Sequence, residues 1–273
     1  MSEPLTLALA QLEIEAAAVD ANVERAVDAL AEAAENGADL VVLPEIFNVG
    51  YFAFDSYQRE AEALDGETLT RISAAAAEHE VGVLAGTIVE DLEASADAGF
   101  DVPDDTGLAN TAVLFDRDGE RLSVYRKHHL FGYQSAEAEL LVPGETFDIA
   151  SFEGFDVGIT TCYDLRFPEL YRELTDAGAT LVLVPSAWPY PRVEHWKTLP
   201  KARAVENLCY VAAVNGSADF EDATLVGRST VYDPWGTPVA TTDDDPDIVY
   251  TRVDPDRVEA VRDDFPALRD RRY

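Results

Sequence analysis

Short β-rich runs alternate along this chain with longer amphipathic ones, and that alternation leaves few folds open. Strand-like runs fall at residues 5–10, 40–43, 81–88, 111–115, 157–161, 181–184, 210–214, 229–232 and 248–253. Helical patterns lie between several of them, at 21–35 with Asp20 as its cap, at 67–79 and at 168–176. This order predicts an α/β fold. Turn residues at Asp116-Arg117-Asp118-Gly119 and Asp233-Pro234-Trp235-Gly236 separate apolar runs and predict two hairpins. The acidic stretches 91–107 and 241–247 read as surface loops. Nothing reads as a linker, so residues 1–273 are expected to form a single domain.

One segment is echoed. Gly37-Ala38-Asp39-Leu40-Val41-Val42-Leu43-Pro44 returns as Gly178-Ala179-Thr180-Leu181-Val182-Leu183-Val184-Pro185, each a helix end, a buried strand and a proline stop. Such units are common in α/β chains. The alternative is a pair of similar halves whose strand ends converge on one site. Ligands in α/β sheets favour the carboxyl ends of strands, where Glu45 and Ser186 would lie.

Charge is the unusual quantity. The chain has 53 acidic residues against 20 Lys plus Arg, a net charge of −33, and only Lys127, Lys197 and Lys201 among its cations are lysines. A carboxylate-rich, lysine-poor surface suits concentrated salt, where screening makes like-charge crowding tolerable, so a halophilic source is expected. The same charge argues against nucleic acid or anionic lipid as a partner. The first residues lack a basic stretch followed by a long apolar run, and no run of about 18 uninterrupted apolar residues occurs, so a soluble cytoplasmic protein is expected. Cys162 and Cys209 are too few for a disulfide framework. The four histidines show no ligand spacing, so neither metal nor cofactor is expected.

Cys162 follows a strand run and precedes the proline-started helix Phe167-Pro168-Glu169-Leu170. A thiol in such a strand-to-helix turn is near helix N-terminal amides, which lower its pKa and can hold an oxyanion. Taken alone, a cysteine there is more often a small buried hydrophobe. Glu45 stands straight after an apolar strand and before Ile46-Phe47; as a surface cap it would be inert, but in apolar company its pKa should rise, as a general base near neutral pH requires. Lys127 is a retained lysine in an arginine-using chain, which points to a need for a compact ammonium. Ser186, Ala187 and Trp188 end the second echoing strand and would line a pocket opposite Glu45, with a core tryptophan as the alternative. Tyr51 would enter from the loop after Glu45. For Arg166 a structural pairing with a carboxylate is favoured over contact with an acidic substrate. Cys209, between a helix and a strand, reads as inert core.

Three ordered segments carry a resemblance: Leu43-Pro44-Glu45; Tyr125-Arg126-Lys127-His128-His129-Leu130-Phe131; and Gly158-Ile159-Thr160-Thr161-Cys162-Tyr163-Asp164-Leu165-Arg166-Phe167-Pro168-Glu169. They resemble the Glu, Lys and Cys motifs of the nitrilase superfamily, the carbon–nitrogen hydrolases. The likeness continues through Arg203-Ala204-Val205-Glu206-Asn207 and Gly227-Arg228-Ser229-Thr230-Val231-Tyr232 to nearly the end of the chain, most like ω-amidases and deaminated-glutathione amidases. It implies a four-layer α-β-β-α sandwich that forms a homodimer or higher homo-oligomer. It further implies hydrolysis of a small-molecule amide through a thioester on Cys162, with Glu45 as general base and acid. Lys127 and the Tyr163 N–H would face the oxyanion. A second glutamate is expected before Pro143-Gly144, with Glu137 the better match and Glu139 the other. Pro200 interrupts a segment, 194–208, that the resemblance would make helical, and should kink it or mark its start.

N-carbamoyl amine hydrolysis and nitrile hydrolysis are the alternatives within the family. Outside it stand a non-catalytic binding protein on the same fold, and a papain-like thiol hydrolase with His128, His129 or His195 as base.

Overall fold

The computed structural model describes residues 3–133, 135–221 and 223–272. From the amino end come β1 (Leu5–Gln11), α1 (Val19–Glu35), β2 (Leu40–Val42), α2 (Tyr57–Glu60), α3 (Glu67–His79), β3 (Gly82–Leu84), β4 (Ile88–Asp91), α4 (Leu92–Asp97), β5 (Leu108–Phe115) and β6 (Arg121–Arg126). Then follow α5 (Glu137–Leu140), β7 (Ala150–Phe152), β8 (Phe155–Ile159), α6 (Pro168–Asp176), β9 (Leu181–Ser186), α7 (Val193–Asn207), β10 (Tyr210–Asn215), β11 (Thr230–Tyr232), β12 (Pro238–Thr241), β13 (Asp247–Val253) and α8 (Pro255–Asp264). One sheet orders β13-β1-β2-β3-β5-β4, with β6 also on β5; the other orders β12-β11-β10-β9-β8-β7.

The layering follows from the period-2 geometry of strands whose two faces are both apolar. Leu7, Leu9, Leu40 and Val42 point into the space between the sheets, where they meet Ile159, Leu183 and Ala212. Their chain neighbours Ala8, Ala10 and Val41 point outward, onto α1 and α3. In the second sheet Val182, Val184 and Val211 face Tyr171 and Leu174 of α6 and Trp196 and Ala204 of α7. The order of layers is therefore α-β-β-α, as the resemblance implies. Truncating an inter-sheet leucine such as Leu9 to alanine should cost about 2–5 kcal/mol, because neither sheet can close over the cavity.

Four local expectations are corrected. The run 81–88 is not one strand: the chain breaks between β3 and β4 at Gly86, whose φ is +45° and where a Cβ would lie 1.9 Å from the Pro44 carbonyl oxygen. Asp20 does not cap the first helix, which begins at Val19 with Ala18 at the cap, so Asp20 favours the helix dipole from the first turn. The stretch 91–107 contains α4, capped by the Asp91 side chain accepting from Ala94 N at 3.1 Å. Pro200 neither starts nor ends its helix. α7 runs through it from Val193 to Asn207, with Trp196, Arg203, Ala204 and Asn207 buried; that packing offsets the lost backbone hydrogen bond.

Candidate active site

The echoing strands β2 and β9 belong to different sheets, and their carboxyl ends meet. Glu45 N–H donates to the Ser186 carbonyl at 3.3 Å, and Ala187 N–H donates to Glu45 Oε2 at 2.9 Å. The break at Gly86 serves the same loop: Thr87 N–H donates to Pro44 O at 3.3 Å, and Thr87 Oγ1 accepts from Ile46 N–H at 2.7 Å. Glu45 is fully buried.

Lys127 leaves β6 with its N–H on the Asn110 carbonyl at 2.9 Å. Its ammonium, also fully buried, lies 2.8 Å from Glu45 Oε1 and 2.6 and 2.9 Å from the two oxygens of Glu137. Glu137 opens α5; its Oε2 also accepts from Tyr51 OH at 2.9 Å and from Phe131 N–H at 2.7 Å. Glu139, two residues on, is exposed.

Cys162 begins a 3-10 turn, Cys162–Arg166, with φ of +45°, a left-handed conformation that costs a non-glycine residue about 1–3 kcal/mol. The turn is held from several sides. Asp164 N–H donates to Thr161 O at 2.9 Å, while Asp164 Oδ2 accepts from Thr161 N–H at 2.9 Å and from Tyr125 OH at 2.7 Å. Buried Arg203 donates twice to Leu165 O, at 3.0 and 2.8 Å. The thiol thus enters the space faced by Glu45, Lys127 and Ala187, each of which acts on its ionisation.

Burial sets the charges. It raises the Glu45 pKa above the ordinary glutamate range; Lys127 pulls it down and Glu137 pushes it up. Burial also pushes the Cys162 thiol well above its ordinary range, and the Glu45 charge adds to that against Lys127 and the Ala187 N–H. For Lys127 burial acts to discharge the ammonium, but Glu137 and Glu45 outweigh it and hold the pKa well above the usual lysine value. The resting thiol therefore keeps its proton beside a carboxylate fit to receive it.

A cleft of about 270 Å³ opens onto Cys162 and is lined by Tyr51, Tyr163, Ala187 and Trp188. Its outer wall carries two arginines. The Arg166 guanidinium lies 4.9 Å from the Trp188 ring centroid and Arg192 lies 5.3 Å from that of Phe131. The expected pairing of Arg166 with a carboxylate is overturned: its side chain bonds His195 Nδ1 at 3.2 Å, and among the described residues neither arginine has an ion-pair partner. Ser186 does not line the cleft; it is buried beneath, holding the Glu45 backbone. Trp188 is both core and wall, 2 % exposed with its indole N–H on Arg192 O at 3.0 Å. A larger groove of about 700 Å³ beside α1 and α3 holds no cysteine, serine or histidine.

A model of the family described as carbon–nitrogen hydrolase matches residues 6–263. The chain belongs to the carbon–nitrogen hydrolase family. The hydrolase is 35 % identical to Omega-amidase NIT2 of Homo sapiens over 97 % of this chain and 94 % of that one. Among solved structures it is similar to Saccharomyces cerevisiae Nit3, a member of branch 10 of the nitrilase superfamily, with a TM-score of 0.87, 30 % identity, and coverage of 100 % and 98 %. It is also similar to the amidase of Nesterenkonia sp. AN1, with a TM-score of 0.82, 27 % identity, and coverage of 98 % and 94 %. That structure, of a glutamate-to-glutamine mutant, shows covalent addition of the acetamide moiety of fluoroacetamide at the active-site cysteine.

Side chains outside the three motifs also touch this cluster. Asn110 Nδ2 donates to Glu45 Oε1 at 2.8 Å and to Glu137 Oε1 at 3.0 Å. Its signal is a lone amide in the apolar strand β5. His129 is no partner of the thiol: its Nδ1 is 2.7 Å from Asp164 Oδ1 and its ring stacks on Phe167 at 3.6 Å. His128 meets Thr146 O and His195 meets Arg166, so among the described residues no histidine hydrogen-bonds Cys162, which removes the basis of a papain-like pair. Cys209 is fully buried core.

Proposed function

We propose that this hydrolase converts a small-molecule amide bearing a distal carboxylate to the acid and ammonia, through a thioester on Cys162. The observation that carries the reading is the convergence of Cys162, Glu45, Lys127 and Glu137 at the foot of one cleft. Glu45 takes the thiol proton as sulfur attacks the amide carbon, and returns it to the nitrogen as the C–N bond breaks. Water, deprotonated by the same carboxylate, then attacks the thioester carbon; the C–S bond breaks, and Glu45 returns the proton to the Cys162 sulfur. The Lys127 ammonium and the Tyr163 N–H face the oxyanion, where a preorganised donor contributes roughly 3–4 kcal/mol of barrier lowering. Glu137 orients Lys127 and the substrate.

Arg166 and Arg192 supply the carboxylate preference. Two guanidiniums without ion-pair partners among the described residues, in a chain of net charge −33, are a local attraction for an anion. The name of the human relative, an omega-amidase, agrees with an amide as the bond cleaved.

We further propose that residues 1–273 act as one domain, that the protein is a cytoplasmic homodimer adapted to high salt, and that nucleic acid is not a partner. Support for self-association comes from exposed Trp235 and Phe265, whose rings lie 5.6 Å apart beside exposed Val205. Among the described residues no helix is long and apolar enough to cross a membrane.

Ammonia release from succinamate, propionamide, N-carbamoyl-β-alanine and propionitrile in molar KCl tests the reading, with Cys162→Ala as control. Release from succinamate ahead of propionamide is expected. Preference for the carbamoyl compound or the nitrile would move the substrate class, and no release from any would reduce the protein to a binding module.

A further inference from the structure

We propose that Asn110 is a positioning residue of this centre: its carboxamide holds Glu45 ionised and fixes which of its oxygens receives the thiol proton. The proposal rests on the reading of Glu45 as base.

Asn110 is 1 % exposed and touches three groups of the site at once. Its two amide hydrogens go to Glu45 Oε1 at 2.8 Å and Glu137 Oε1 at 3.0 Å, and its backbone carbonyl accepts from Lys127 N–H at 2.9 Å. The amide cannot be reversed, because Oδ1 would then face two carboxylate oxygens. In the orientation present, Oδ1 has no hydrogen-bond partner among the described residues, as is also true of Oδ1 of Asn48 and Asn207. Both amide hydrogens are therefore committed to the two carboxylates of the site.

Charge explains why the donor is neutral. Two carboxylates share one ammonium, so the cluster carries one net negative charge while the thiol is protonated. A second cation beside Glu45 would weaken it as a base, and a third carboxylate would drive a proton onto it. A carboxamide adds two hydrogen bonds and no charge. With Glu45 Oε1 taken by Asn110 and Lys127, and Ala187 N–H fixing the plane through Oε2, Oε2 is the oxygen left to exchange a proton with sulfur.

The test compares wild type with Asn110→Ala, Asn110→Ser and Asn110→Asp across pH, with two readouts. One is kcat/KM for ammonia release from succinamate; the other is the rate of iodoacetamide alkylation at Cys162, read by peptide mass with Cys209 as internal control. Losing the donor destabilises ionised Glu45, so the acid limb of both profiles should move upward by about one pH unit in Asn110→Ala and further in Asn110→Asp. kcat should fall about tenfold or more with KM nearly unchanged. Asn110→Ser, which keeps one donor, should lie between. Limbs unmoved in every folded variant, with activity loss following only the drop in Tm, would overturn the proposal. Wild type silent on every amide but with an alkylation limb that shifts in the variants would sink the amidase reading and leave the role of Asn110 standing.

Discussion

Ala187 N–H, at the end of one sheet, donates to Oε2 of Glu45, at the end of the other, at 2.9 Å. The carboxylate is thereby aimed, and its length matters as much as its charge. Glu45→Gln keeps the shape and removes the base, while Glu45→Asp keeps the base and withdraws it by one methylene. Both should lower kcat/KM by roughly 10²–10⁴-fold, measured as ammonia release. An Asp variant at wild-type rate would mean that Glu45 is not the proton acceptor.

The raised pKa of Glu45 gives a pH dependence with a definite sign. The base must be ionised, so kcat/KM should fall on acidification through a pKa above the ordinary glutamate value, and rise again as pH is restored. The Cys162 thiol, pushed well above its ordinary value, should contribute no loss of activity until strongly alkaline pH. A pH–rate profile with the acid limb at the value of an exposed glutamate would contradict the burial argument.

Arg166 and Arg192 should act on binding more than on chemistry. Arg166→Ala and Arg192→Ala are each expected to raise KM for succinamate by roughly 10- to 150-fold, in line with about 1.5–3 kcal/mol for a charged hydrogen bond, and to leave propionamide nearly unchanged. Equal losses on both substrates would show that the arginines merely hold the cleft together.

Stability should depend on salt. Net charge of −33 repels itself in dilute buffer, so Tm is expected to climb steeply between 0.1 and 2 M KCl, about where the Debye length contracts from 10 to 3 Å or less. A flat Tm over that range, in differential scanning fluorimetry, would deny the salt adaptation.

The proposed self-association through the exposed Trp235 and Phe265 pair is tested by sedimentation. Trp235→Glu should convert a dimer to a monomer at micromolar protein. Wild type sedimenting as a monomer would remove the assembly from the reading.

Much of this molecule is legible from sequence because its core strands are apolar on both faces and the helices α6 and α8 open on a proline. The helices Glu67–His79 and Pro168–Asp176 have the bounds that their patterns mark. At Gly86, Ser186, Arg166 and Asn110 a tertiary contact has the deciding role. The strand over 81–88 breaks because Gly86 must clear the Pro44 carbonyl, 42 positions earlier, and nothing local announces that. Ser186 is expected in the cleft wall, but it is fully buried and its carbonyl accepts from the Glu45 N–H. Arg166 was expected to find a carboxylate in a chain full of them, yet its neighbours are aromatic rings. Asn110 carries no motif, since one amide in a strand gains meaning only when two distant glutamates are brought to it.

The two sheets divide the chain's chemistry as well as its core. Glu45 and Lys127 come from the sheet of β1–β6, Cys162 and Ala187 from that of β7–β12, and β13 carries the chain back to the first. A polypeptide severed between β6 and β7 would therefore leave the proposed base Glu45 in one piece and the proposed nucleophile Cys162 in the other. Each would be chemically mute, and turnover would count their reunions.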